Sequence, residues 1–235
     1  MRILGSLLTL GHKCPIFLAV PGGILRTPRA MIDGRHCYGT ESGDNSRPIS
    51  RYPIPNIKDL PSDILKIFEE AKKPVGYLPN FFKAMAHRPN ELRYIYTYFD
   101  FLLNKKTGNL SLADKELVIV ATSAYNRCPY CVTTHAAMHR LHSKNPILAY
   151  QVVVNWDFAE LSQRDHAMLE FALKIAKPEK ITDVHFQKLE EHGFDREDAW
   201  DIAMLTAFSA MANRIAYFLD LRPNVEYFTL GRGHK

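Results

Sequence analysis

"LSLADKELVIVATSAYNRCPYCVTTHAAMHR", residues 110–140, decides the fold. Ser111 followed three residues later by Asp114 is a helix-start signal, because each side chain can satisfy a backbone N–H of the first turn. An apolar run follows and ends near Asn126. Pro129 then marks a second start, since proline is favoured at the first helical position, where its missing N–H would lack a partner anyway. Cys128 falls at or near the N-cap of this second helix and Cys131 in its first turn. The stretch reads as two helices joined by a tight turn that can fold Glu116 back beside the cysteines.

The same pattern extends outward in both directions. "LPSDILKIFEEAKK" carries a Ser62 cap, early acidic residues and terminal lysines. "PNFFKAMAHRPNELRYIYTYFDFLLNKK" reads as two helices broken at Arg88–Pro89. "SQRDHAMLEFALKIAK" places apolar residues at 167, 168, 171, 172 and 175, one helix face. "TDVHFQKLEEHG" has a Thr182 cap and a Gly193 stop. "DREDAWDIAMLTAFSAMANRIAYFLDL" predicts a long, mostly apolar helix central to the core. No segment alternates with period two between turn signals, so the expected fold is all-α. "FKAMAHR" (82–88) and "FSAMANR" (208–214) agree at five of seven positions; a duplicated hairpin would explain the echo, and coincidence explains it more simply.

The body, residues 51–235, is expected to be one helical domain, and residues 1–50 an extension. Residues 1–57 hold seven Lys/Arg and three Asp/Glu, a net of +4, whereas residues 58–235 hold 23 and 22, a net of +1. The body therefore makes no electrostatic case for nucleic acid. Arg2, Lys13, Arg26 and Arg29 precede the first acidic residue, Asp33. Such a basic, acid-poor segment predicts an organellar transit peptide, mitochondrial in a eukaryote; otherwise the protein is cytoplasmic. His12, Lys13, Pro15 and Pro21 interrupt the apolar run, which argues against a membrane span. Residues 33–57 have no apolar period and read as a linker. Cys14 and Cys37 fall in these segments and are read as free or incidental thiols.

The remaining cysteines, Cys128 and Cys131, form a C-x-x-C with His135 four residues on. The three fall in a stripe about 60° wide on a helix. A helix N-terminus favours thiolate over thiol, and the thiolate is the nucleophile. His135 stands one turn beyond Cys131, in range to exchange a proton with its sulfur. Zinc is a poor alternative: Cys128 to His139 would span about 16 Å of helix, too far for four ligands on one ion. Packed structural thiols are the other alternative. His139 and His142 are expected to be solvated, and His166, His185 and His192 to be surface positions.

The string Glu116-x11-Cys128-Pro-Tyr-Cys131-x3-His135 resembles the signature of AhpD-like alkylhydroperoxidases of the carboxymuconolactone decarboxylase superfamily. "GYLPNFFKAMAHRP" (76–89) and "MANRIAYFLDLRP" (211–223) are similar to its longer peroxidase-related branch, and the resemblance covers roughly residues 55–225. It implies packed helical hairpins, a homo-oligomer, and a peroxidase without haem, metal or other cofactor. It implies Cys131 as the attacking cysteine, Cys128 as the resolving one, and His135 with Glu116 as a proton relay. The best-known members carry a histidine directly before the second cysteine, where this chain has Tyr130. The implied partners are a hydroperoxide and an external dithiol reductant, lipoyl-bearing or thioredoxin-like. A thiol–disulfide oxidoreductase without peroxide activity and a redox-sensing helical module use the same residues. By analogy with other helix-start pairs Cys128 would attack; the step to His135, which can protonate the leaving oxygen, favours Cys131.

Overall fold

The computed structural model describes residues 47–106 and 108–232. The expectations for a transit peptide, for Cys14 and Cys37 and for the first part of the linker lie outside those residues. Every regular element among the described residues is a helix: α1 (Ser62–Lys72), α2 (Asn80–Met85), α3 (Pro89–Asn104), α4 (Leu112–Tyr125), α5 (Pro129–Ser143), α6 (Leu148–Asn155), α7 (Gln163–Ala176), α8 (Asp183–Glu190) and α9 (Arg196–Phe218), with three short 3₁₀ turns. No helix among the described residues is long and apolar enough to cross a membrane.

The centre belongs to α4. All nine residues from Lys115 to Ser123 are buried, so the helix is covered on every side. It packs most extensively on α5, its partner across the turn, and then on α9 and α7. The predicted long helix, α9, shares this core through Ala199, Ile202 and Leu205 but leaves Trp200, Met211 and Phe218 exposed. It is therefore one-sided, and the shorter α4 is central because small and β-branched residues line its whole circumference. Ser111 and Asp114 form the expected reciprocal cap. Thr182 caps α8, and Gly193 follows it in the left-handed region at φ 85°. Ser62, expected as a cap, is instead the first residue of α1, with Pro61 in the cap position. Residues 82–88 run off the end of α2 while 208–214 lie inside α9, so the sequence echo marks no duplicated hairpin.

Two polar anchors fix the register of α4 and α5. Lys115, buried, donates from Nζ to the carbonyls of Leu103 and Lys105 at the end of α3, both at 2.9 Å. Those carbonyls lack partners inside α3, so the lysine stands in for a C-cap. Arg140, also buried, donates to Leu230 O, Tyr227 O and Tyr150 Oη at 2.7, 2.9 and 2.7 Å. It pins the C-terminal segment against α5 and brings Tyr227 beside the site described below.

Residues 47–52, read as linker, form a strap on the end of α9. Arg51 N–H donates to Leu219 O at 2.7 Å, Arg222 N–H to Ile49 O at 3.0 Å, and Arg47 pairs with Asp220 at 2.8 Å. The strap has no hydrophobic period because backbone hydrogen bonds, not an apolar face, hold it. Deleting residues 1–46 is expected to leave the melting temperature unchanged, whereas deleting 1–52 should lower it by about 5 °C or more. Calorimetry of the two truncations checks this; equal melting temperatures would remove the strap from the fold.

Candidate active site

The site is assembled where α4 and α5 meet. Cys128 occupies the N-cap of α5 with φ −83° and ψ 103°, and Pro129 follows in the first turn. The preceding residue, Arg127, turns the chain at φ 56°, a left-handed conformation that costs a non-glycine residue roughly 1–2 kcal/mol. The hydroxyl of Tyr217 on α9 donates to the carbonyl of Arg127 and holds that turn. Both thiols are free and buried, Cys128 at 1% exposure and Cys131 at 5%.

The two sulfurs are unequal. Cys128 is pulled down toward thiolate, first by the Cys131 thiol that donates to it and then by the Cys131 backbone N–H, against the cost of burial. The positive charge His135 can carry adds to the effect. Cys131 is pushed up because its proton is held by Cys128 and because it is buried. Of the two, Cys128 is therefore the more readily deprotonated, with Cys131 as the thiol beside it.

Glu116 reaches this corner from the middle of α4. Its side chain is buried, and its Oε2 lies 2.7 Å from Nδ1 of His135. With the carboxylate ionised, Nδ1 carries the proton of that bond and Nε2 is left free to exchange one. Phe99 sets its ring edge-on to His135 at 6.1 Å and stacks on Phe208 at 5.4 Å, fixing the imidazole plane.

Above the pair lies a cavity of about 410 Å³, lined mainly by carbon. Phe81 and Phe82 of α2, Tyr96 and Phe99 of α3, Met138 of α5 and Phe208 of α9 are among the residues of its wall. Cys131, His135 and Glu116 line it and Cys128 does not. Tyr130, in the position where the best-known family members carry a histidine, is a floor strut: its hydroxyl accepts the Phe81 N–H at 3.0 Å, and burial pushes its pKa up. Thr134 also lines the cavity, with its hydroxyl buried.

The four residues expected from sequence, Glu116, Cys128, Cys131 and His135, are thus brought together. The expectations for two other histidines need correction. His139 is buried, not solvated; it lies one turn after His135 on the α4-facing stripe, and burial pushes its imidazole down. His142 is half-buried and lines the cavity. His166, His185 and His192 are half-buried; His166 packs on Trp156 and lies 3.3 Å from Asp157, and His185 lies against the Thr182 cap. Sequence reasoning missed Asn213, a buried amide on α9 that joins the site from a distant part of the chain. Its signal was an asparagine inside a mostly apolar helix. Among the described residues no group of three His, Cys, Asp or Glu could hold a metal ion.

Fold and site together define an all-α protein with a paired-thiol helix start beneath an apolar cavity. The sequence pattern of the carboxymuconolactone decarboxylase family matches residues 90–147. A crystal structure of the alkylhydroperoxidase AhpD core, an uncharacterized peroxidase-related protein from Ralstonia eutropha JMP134, is similar at 45% identity. It has a TM-score of 0.77 and covers 81% of this chain and 100% of its own. An uncharacterized peroxidase-related protein from Silicibacter sp. TM1040 is 31% identical, with a TM-score of 0.74, over 83% of this chain and 100% of its own. The debrominase Bmp8, at 17% identity and a TM-score of 0.63 over 77% of this chain and 95% of its own, shares the fold. No curated protein matches the chain. The chain belongs to the AhpD-like carboxymuconolactone decarboxylase superfamily, a family of enzymes.

Proposed function

We propose that the protein is a cysteine peroxidase that reduces bulky, apolar organic hydroperoxides through a Cys128/Cys131 dithiol–disulfide cycle. The observation that carries this reading is the buried Glu116–His135 contact at 2.7 Å beside a thiol pair, at the base of an apolar cavity.

As Cys131 attacks the terminal peroxide oxygen, its proton passes to the Cys128 thiolate. The O–O bond breaks and leaves a sulfenic acid on Cys131 and an alkoxide. The alkoxide takes a proton through His135 and leaves as alcohol. Cys128, deprotonated again, attacks the sulfenic sulfur, forms the disulfide and releases hydroxide, which is protonated to water. Two electrons leave the sulfur pair and enter the O–O bond. One proton comes from the thiols and one from solvent, relayed by His135 with Glu116 behind it. An external dithiol, lipoyl-bearing or thioredoxin-like, then reduces the disulfide by exchange.

The aromatic wall favours an organic group over bare hydrogen peroxide. With cumene hydroperoxide kcat/KM should exceed that with hydrogen peroxide by about tenfold or more, the worth of burying a few CH₂ equivalents. Following thiol loss and peroxide loss together in the reduced protein tests this. Thiol chemistry with disulfides but no peroxide loss would assign a thiol–disulfide oxidoreductase instead. The exposed aromatic face of α3, Tyr94, Tyr98 and Phe101, supports the homo-oligomer. The basic, acid-poor N-terminus supports mitochondrial import in a eukaryotic host, which deletion of residues 1–46 should abolish.

A further inference from the structure

The cavity over Cys131 is lined mainly by carbon, and its few charged side chains are unevenly signed. Three carboxylates line it: Glu116, Glu70 of α1 and Asp100 of α3. Glu116 is buried, Glu70 half-buried and Asp100 exposed, so the last two stand at the rim and the first at the base. Among the described residues no lysine or arginine lines the cavity. The bases in its wall are His142 and His135, and His135 is already bonded to Glu116.

Neighbouring lysines are engaged elsewhere. Lys73 bonds Glu70 at 2.7 Å from the exposed side, with two-thirds of its own side chain in solvent. Lys115, next in sequence to Glu116, gives its Nζ to the carbonyls of Leu103 and Lys105. Asp100 accepts from Asn104 Nδ2 at 2.8 Å, an amide and not a charge. Burial, then the charges of Asp100 and Glu70, push the pKa of Tyr96 up, so the field of both rim carboxylates reaches the aromatic wall. A carboxylate carried into this cavity loses its water, finds no cation and meets like charges at both ends. An ester or a hydrocarbon of the same size meets none of these costs.

We infer that the cavity selects by charge: it takes hydroperoxides of uncharged organic molecules, esters among them, and rejects those with a free carboxylate, and Glu70 and Asp100 are the rim residues that set this selection. The inference rests on the peroxidase reading for the reacting O–O group. The selection itself concerns entry to the cavity and holds for any ligand of that shape.

Three cumene hydroperoxides substituted at the para position, as methyl ester, carboxylate and aminomethyl ammonium, match in shape and differ in charge. The second-order rate of peroxide loss is measured with each in the reduced full-length protein at about pH 8, above the ordinary imidazole pKa. Each rate is divided by that with dithiothreitol in solution, which removes differences in the peroxide itself. The carboxylate should be slowest, at least about tenfold below the ester, and the ammonium should exceed it. Salt should narrow the gap between the two charged substrates. Glu70→Gln combined with Asp100→Asn should narrow that gap about threefold or more, and Asp100→Lys should raise the carboxylate relative to the ester about tenfold. Both side chains make surface bonds worth little to stability, so the variants fold. A carboxylate as fast as the ester overturns the inference, as does a carboxylate-to-ammonium gap that is absent or that persists in both variants. If no hydroperoxide is consumed, the peroxidase reading falls, and the corresponding alcohols, which lack the O–O bond, read the selection instead. The ester alcohol should protect Cys131 from iodoacetamide, mapped by mass spectrometry, at about tenfold lower concentration than the carboxylate. Equal protection by the two, or protection by neither, overturns the inference.

Discussion

Cys131→Ser is expected to abolish hydroperoxide consumption, while Cys128→Ser is expected to consume one hydroperoxide per protein and stop. The asymmetry is surprising at first, because Cys128 is the more readily deprotonated sulfur, favoured by the neighbouring Cys131 thiol. Charge alone would make Cys128 the nucleophile. Access decides otherwise: Cys131 lines the cavity and Cys128 is sealed beneath it at 1% exposure. The proton between the sulfurs is easily exchanged, whereas a buried sulfur cannot be brought to a bulky peroxide without opening α5. Cys128→Ser should also react more slowly than the parent, since Cys131 then lacks the neighbouring thiolate that takes its proton. Stopped-flow peroxide loss on both variants gives the two outcomes.

Glu116→Gln and His135→Ala are each expected to slow peroxide consumption by roughly 10²-fold, the usual scale for a lost general acid–base. In the proposed relay the two act as one unit, so the double variant should be scarcely slower than either single one. Glu116→Gln is the cleaner test, because the amide keeps the shape and an oxygen for His135. His135→Ala leaves the Glu116 carboxylate buried without its partner, at a stability cost of about 1–3 kcal/mol. Its rate is therefore compared below its melting transition. Steady-state rates with cumene hydroperoxide check both; full activity in either variant would remove the relay.

The parts of the fold legible in the sequence are those fixed by near neighbours. The Ser111–Asp114 cap, the Arg88–Pro89 break and Pro129 at a helix start each involve residues within a few positions of one another. The hairpin, and with it the meeting of Glu116 with His135, follows from such local signals plus one short turn. What was not legible depends on distant partners. The cavity exists because α1–α3 close over the N-terminus of α5, and nothing in "NFFKAM" says which helix those rings will face. His139 looks like any polar residue near a helix end until α5 is laid along α4. Tyr130 could be read only as a departure from a pattern, since its partner, the Phe81 N–H, is 49 residues away. Asn213 lies 87 residues from Asn126, which orients it.

The central claim is that Cys131 is oxidised by hydroperoxide. Its most direct test is mass spectrometry of the reduced Cys128→Ser protein after one equivalent of cumene hydroperoxide, with a dimedone-type probe present. The expected result is a single adduct on Cys131, trapped as the sulfenic acid because no resolving thiol remains. An adduct on Cys128 in the Cys131→Ser protein, with none on Cys131 in Cys128→Ser, would contradict it.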